Sequence, residues 1–172
     1  MPPNRVLYLL RHAKSSWDDP EIEDHERPLA PRGRRAAGVL ADHVRSAGIM
    51  PELVLSSSAR RTRETLEVVD PPGQWLIESE LYAASPGTVL ARLQSLPDDV
   101  RSAMVVGHNP TMQVLVLRLA AAAGSEADLG EVQRKFPTGG LATLTFEGAW
   151  SELAPGRARL ASYVRPRQLE GR

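Results

Sequence analysis

The chain has no cysteine in its 172 residues, which excludes a disulfide framework, a thiolate metal site and a cysteine nucleophile. An excess of either charge is also missing: 21 Lys plus Arg balance 21 Asp plus Glu, so no global field draws the chain to a polyanion or an acidic membrane surface. Neither nucleic acid nor membrane is expected as a partner. No stretch approaches the ~20 apolar residues of a membrane span. The apolar run within residues 1–10 is too short for a signal peptide, and a cytoplasmic protein is expected. Metal-ligand spacings, internal repeats and low-complexity tracts are absent as well; no metal or cofactor is expected, although the acidic group from Asp18 to Asp24 could form a weak cation site.

What is present is an apolar content of 42%, enough for one core and one domain spanning 1–172. Val6 to Leu10 form a near-continuous apolar run, as a strand buried on both faces requires, and the run ends in Arg11-His12. Further strands are read at 53–56, 75–77 and 103–106, with strands at 141–146 and 158–164 forming an antiparallel extension at the sheet edge. Helical spacing of apolar residues marks 31–47, a helix to about Val69 N-capped by Ser57 or Ser58, and one begun by Ser85-Pro86. Another, N-capped by Asn109 with Pro110 at its first position, continues to about Ala122, and a weak helical pattern covers 126–134. The polar stretch 13–29 reads as a surface loop of functional length, and 165–172 as a frayed tail. The fold class is therefore α/β, a three-layer α/β/α sandwich with a mostly parallel sheet.

In such a fold right-handed crossovers bring the carboxyl ends of the parallel strands to one edge, where ligands bind. That edge would hold Arg11-His12, the turn Ser57 to Arg63, and Gly107-His108. Arg60, Arg61 and Arg63 stand at the positive end of a helix, which is unfavourable until an anion joins them. Guanidinium groups and helix N–H groups suit a phosphoryl group, and neighbouring arginines keep His12 neutral near pH 7, free to attack phosphorus. Arg11, Arg61 and His108 would then stabilise the charge on the transferring group.

Three segments carry a family resemblance: Leu9-Leu10-Arg11-His12-Ala13-Lys14, Ser57 through Thr65, and Val105-Val106-Gly107-His108-Asn109-Pro110. In order, they resemble the motifs of the histidine phosphatase superfamily, also called phosphoglycerate mutase-like. The string from Arg11 to Trp17, with Arg27-Pro28-Leu29 and Arg32-Gly33, is similar to its small SixA-type phosphohistidine phosphatase branch. The resemblance implies a phosphohistidine intermediate on His12, with Arg11, Arg61 and His108 binding the phosphoryl group. It prefers Arg61 to Arg60 because the family's arginine stands four residues before the threonine, here Thr65. Ala13 replaces the glycine usual in the wider superfamily, as in the SixA-type branch. Without a long insertion after the third strand the pocket should be open, which suits a phosphohistidine-carrying protein substrate. Glu80 is the nearest carboxylate to the position of the superfamily's proton donor, and phosphohistidine, able to leave as neutral imidazole, has less need of one. Small phosphate esters as substrates, or a catalytically silent phosphoprotein-binding module, are the alternatives.

Other residues carry weaker expectations. His25 and His43 read as surface positions, and Arg32, Arg34, Arg35 and Arg45 as a solvated helix face with Arg32 near the acidic loop. Trp17 either packs under its loop or lines a groove. Lys14 either reaches the pocket or shields it.

Overall fold

Alternation decides where the first strand sends its side chains. In β1 (Asn4–Arg11), Leu7 and Leu9 point into one apolar cluster, and Tyr8 and Leu10 into another on the opposite face. The computed structural model describes residues 4–170. β2 (Leu53–Ser57), β3 (Gln74–Glu78) and β4 (Ser102–Gly107) join β1 in parallel; β5 (Leu141–Glu147) and β6 (Arg159–Val164) add the antiparallel edge, giving the order β3-β2-β4-β1-β5-β6.

Both faces are covered, as the strand patterns require. On the Tyr8 and Leu10 side, α1 (Pro31–Ser46) contributes Ala37, Leu40 and Val44, and α2 (Arg60–Val69) contributes Leu66 and Val69. On the Leu7 and Leu9 side lie Val89 and Leu93 of α3 (Pro86–Gln94), Leu115 and Leu119 of α4 (Thr111–Leu119), and Val132 of α5 (Leu129–Arg134). The fold is the expected three-layer α/β/α sandwich.

Local expectations are corrected in three places. Neither Ser57 nor Ser58 caps α2: the N-cap is Ala59, and the Ser57 hydroxyl accepts from the Ala59 N–H at 3.2 Å. Asn109 precedes a cis bond to Pro110, which itself takes the N-cap position of α4, and the helix stops at Leu119 because Ala120 pairs with Ala158. The tail is not frayed through 166–170: α6 (Pro166–Glu170) buries Pro166 and packs Leu169 on the α1 side, while residues 171 and 172 lie outside the described residues, as do 1–3 of the amino-terminal stretch.

The stretch after β1 is tied down rather than loose. Ser15 bridges Leu29, the Ala30 N–H donates to the Lys14 carbonyl at 2.9 Å, and the first turn of α1 comes so near that a Cβ on Gly33 would lie 2.1 Å from that same oxygen. Gly33→Ala is accordingly expected to lower stability by about 2 kcal/mol or more, because backbone atoms must shift to admit it. A thermal melt indistinguishable from wild type would contradict this close approach.

Candidate active site

The register of β1 on β4 sets Arg11 opposite Gly107, so the next residues of the two strands, His12 and His108, emerge side by side with ring centroids 5.3 Å apart. The His12 backbone is held on two sides: its N–H donates to the Gly107 carbonyl at 3.1 Å, and its carbonyl accepts from the Gly139 N–H at 2.9 Å. Its ring is buried, and Nδ1 lies 2.7 Å from the Ala13 carbonyl. A carbonyl only accepts, so Nδ1 carries the proton and the lone pair of the neutral ring is on Nε2. Thr65 braces this turn, accepting from the Ala13 N–H at 3.0 Å and donating to the Arg61 carbonyl at 2.7 Å.

Burial pushes the His12 pKa down to about 3, helped by the nearby His108, Arg61 and Arg11, against the opposing bond to Ala13. His108 is pushed down to about 4, again by burial first and then by Arg61. Its Nε2 lies 2.8 Å from Ser57 Oγ, while its Nδ1 and the Nε of Arg11 are buried without a hydrogen-bond partner. Both nitrogens therefore have hydrogen-bonding capacity that no protein group uses. Arg11 is steadied by the Phe136 carbonyl at 3.0 Å, which also accepts from Asn109 Nδ2 at 2.9 Å.

These shifts have a consequence for stability. An unfolded histidine titrates near 6.5 and folded His12 near about 3, so between those values the unfolded chain binds more protons. The contribution is complete above pH 6.5 and drains away as pH falls toward 3, at about 1.4 kcal/mol per unit. Urea unfolding across this window is expected to show wild type losing more stability on acidification than His12→Ala; parallel losses would contradict a buried neutral His12.

The two arginines that open α2 diverge. Arg61 is buried, and its Nη1 and Nη2 bond the Asp24 carbonyl at 2.7 Å and carboxylate at 3.0 Å. Arg60 faces outward to Glu64 Oε2 at 3.3 Å, an oxygen it shares with Arg34 at 2.7 Å. The anions that relieve the positive end of α2 are thus Asp24 and Glu64. Asp24 also accepts from the Tyr82 hydroxyl at 2.5 Å, and that bond, with Arg61, holds its pKa below the usual carboxylate range. Tyr82 stands edge-on to both His25 and His108, at 4.8 and 5.7 Å between centroids.

Glu80 is not brought into this group. It is exposed on the turn Ser79–Leu81 and lines, with Glu78, Thr88 and Arg92, a groove that none of the other candidates lines. His25 is more engaged than a plain surface residue, with Nδ1 2.5 Å from Glu26 and Nε2 2.9 Å from Ser58 Oγ; His43 lies on α1. Trp17 is 68% exposed with the Arg27 guanidinium 3.7 Å above its ring, and Lys14 is exposed. Arg34 is drawn out of the solvated face by Glu64, whereas Arg32 is exposed and has no ion pair with the acidic loop among the described residues. The chain runs from β3 to β4 through one turn and α3, with no inserted subdomain. Among the described residues no three acidic or histidine side chains converge as metal ligands, and no helix is long and apolar enough to cross a membrane.

Reading the sequence missed Ser57 as the partner of His108, and missed Asp24, Tyr82 and Asn109. Ser57, Tyr82 and Asn109 all stand at or just beyond the carboxyl end of a parallel strand, the edge where ligands gather, whereas Asp24 carries no such signal.

Fold and site together define an α/β protein whose strand ends gather two arginines and a second histidine around a neutral, buried His12. The histidine phosphatase superfamily (branch 1) matches residues 7–82. Uncharacterized protein Rv1276c of Mycobacterium tuberculosis is 41% identical over 161 residues, covering 92% of this chain and 100% of that one. A structure described as a candidate phosphohistidine phosphatase SixA from Nakamurella multipartitia matches with a TM-score of 0.86 at 33% identity, covering 96% of this chain and 99% of that one. The protein histidine phosphatase SixA complexed with tungstate gives 0.76 at 25% identity, covering 95% and 99%. The chain belongs to the histidine phosphatase superfamily, in its SixA-type branch.

Proposed function

We propose that this single domain is a metal-independent phosphohistidine phosphatase that removes the phosphoryl group from histidine on a protein, through a covalent intermediate on His12. The observation that carries the reading is the His12 tautomer: the Ala13 carbonyl holds the proton on Nδ1 and leaves Nε2 as the nucleophile. The Nε2 lone pair forms the new bond to phosphorus as the substrate's P–N bond breaks, and the departing ring, protonated at its other nitrogen, leaves as neutral imidazole. Phosphorylated at Nε2 and still protonated at Nδ1, His12 is a phosphoimidazolium. Water then forms the P–O bond, the Nε2–P bond breaks, and both protons of the water leave with the phosphate. Arg11, Arg61 and His108 bind the phosphoryl oxygens throughout.

The preference for a P–N bond is supported by the carboxylates. Asp24 is ionised and already accepts two bonds, and Glu80 points elsewhere, so neither is poised to protonate an alkoxide. A histidine leaving group needs no such acid. The similarity to SixA phosphatases and the absence of an inserted cover over the site support a protein substrate. The cytoplasmic location expected from the sequence belongs to the same reading.

Hydrolysis of a phosphohistidine peptide, a phosphoserine peptide and a small aryl phosphate, with EDTA present, tests this for wild type and Glu80→Gln. The P–N substrate is expected to be turned over fastest, with Glu80→Gln changing it by less than about twofold. Faster ester hydrolysis that Glu80→Gln destroys would make the protein a small-ester phosphatase. Binding without turnover of any substrate would make it a silent phosphoprotein-binding module.

A further inference from the structure

The chain is electrically balanced, yet its cations are not evenly spread. A groove of about 760 Å³ runs from the catalytic edge between the start of α1, the segment 135–138 and α6. Arg11, Lys14, Arg32, Lys135, Arg165 and Arg167 line it, against one carboxylate, Glu170. Of these, Arg165 reaches Glu131 at 3.4 Å and has a buried Nε without a partner, while Lys14, Arg32, Lys135 and Arg167 have no ion pair among the described residues. Six like charges in one concavity repel one another, a cost that an acidic ligand would reverse. Arg11 belongs both to this groove and to the phosphoryl site, and Lys14 follows His12 by two residues, so the groove opens directly onto the chemistry.

We propose that this basic groove docks an acidic segment of the protein that carries the phosphohistidine, holding the segment's carboxylates while the phosphoryl group enters beside Arg11. The identity of the docked protein as a substrate rests on the phosphatase reading above; the groove's preference for an acidic segment does not. Its floor is Ala36, Pro137, Thr138 and Pro166, with no aromatic ring on which nucleic-acid bases could stack. An extended acidic peptide needs no such platform. Because the lysines and arginines are largely exposed, the attraction acts over about 8 Å at physiological salt and should fade as salt is raised.

The test uses a fluorescent peptide rich in glutamate, and the same peptide with glutamine at each glutamate. Fluorescence anisotropy is measured on wild type and on the triple variant Arg32→Glu, Lys135→Glu, Arg167→Glu. The glutamate peptide is expected to bind wild type about tenfold tighter than the glutamine peptide, and to lose that advantage in the triple variant and in high salt. Hydrolysis of a small phosphoramidate, which carries no acidic segment for the groove to hold, is expected to be unchanged in the triple variant. Equal binding of the two peptides to wild type would overturn the proposal whatever the variant does. Displacement of the glutamate peptide by a far tighter single-stranded oligonucleotide would overturn it in favour of nucleic acid. If wild type binds the acidic peptide but hydrolyses no phosphoramidate, the phosphatase reading fails and the groove assignment stands.

Discussion

His12→Ala is expected to reduce turnover of a phosphohistidine peptide by at least about 10⁴-fold, to background, because it removes the nitrogen proposed to accept the phosphoryl group. Arg11, Arg61 and His108 remain in the variant, so phosphate should still bind and inhibit any residual hydrolysis. A global collapse is not expected to explain the loss: the backbone bonds of His12 to Gly107 and Gly139 and the bond of Thr65 to Ala13 do not involve the deleted ring, and the variant is spared the acid penalty of a buried neutral imidazole. Retention of more than about a tenth of wild-type kcat in a folded variant would mean that water attacks the substrate directly, with His12 only binding.

Arg61→Ala should lower kcat/KM by about 10²- to 10³-fold, whereas Arg60→Ala should change it by less than about threefold. The two residues are adjacent in sequence, and the first turn of α2 sends them in opposite directions. Arg61 is buried within electrostatic reach of both histidines, contributing to their lowered pKa values. Arg60 shares Glu64 with Arg34 at the surface. Arg61→Lys should recover only part of the loss, since one ammonium cannot replace the paired donors of a guanidinium. Arg61→Ala also leaves Asp24 with Tyr82 and a 4.0 Å ion pair to Arg27, so a thermal melt must accompany the kinetics. Equal damage from Arg60→Ala and Arg61→Ala would remove the distinction between them.

The strand and helix framework was legible because its signals are local. The run ending at Arg11-His12, the apolar spacing in 31–47 and the Ser85-Pro86 start each announce an element through near neighbours, and the parallel topology then carries three strand ends to one edge. The misreadings share one cause. Ser57 has the composition of an N-cap, but a tertiary partner, His108, engages the same hydroxyl that a cap would use. Asp24 and Tyr82 are 58 positions apart and meet only because the loop after β1 folds back over the end of β3; an acidic loop residue carries no mark of that meeting. Glu80, two residues before Tyr82, has the right chemistry and chain position for a proton donor, but the turn Ser79–Leu81 points it outward beside Arg92. The tail looked unanchored because α6 is only five residues long, too short to show a period, and is held through Pro166 and Leu169.

The most direct test of the account is to mix the enzyme with a phosphohistidine peptide labelled in the phosphoryl group, quench in alkali within the first turnovers, and locate the label by mass spectrometry. An alkali-stable, acid-labile phosphoryl group is expected on Nε2 of His12, present in wild type at up to one per chain and missing from His12→Ala. Rapid phosphate release with no label on His12 at any time, or a label on His108 instead, would contradict it.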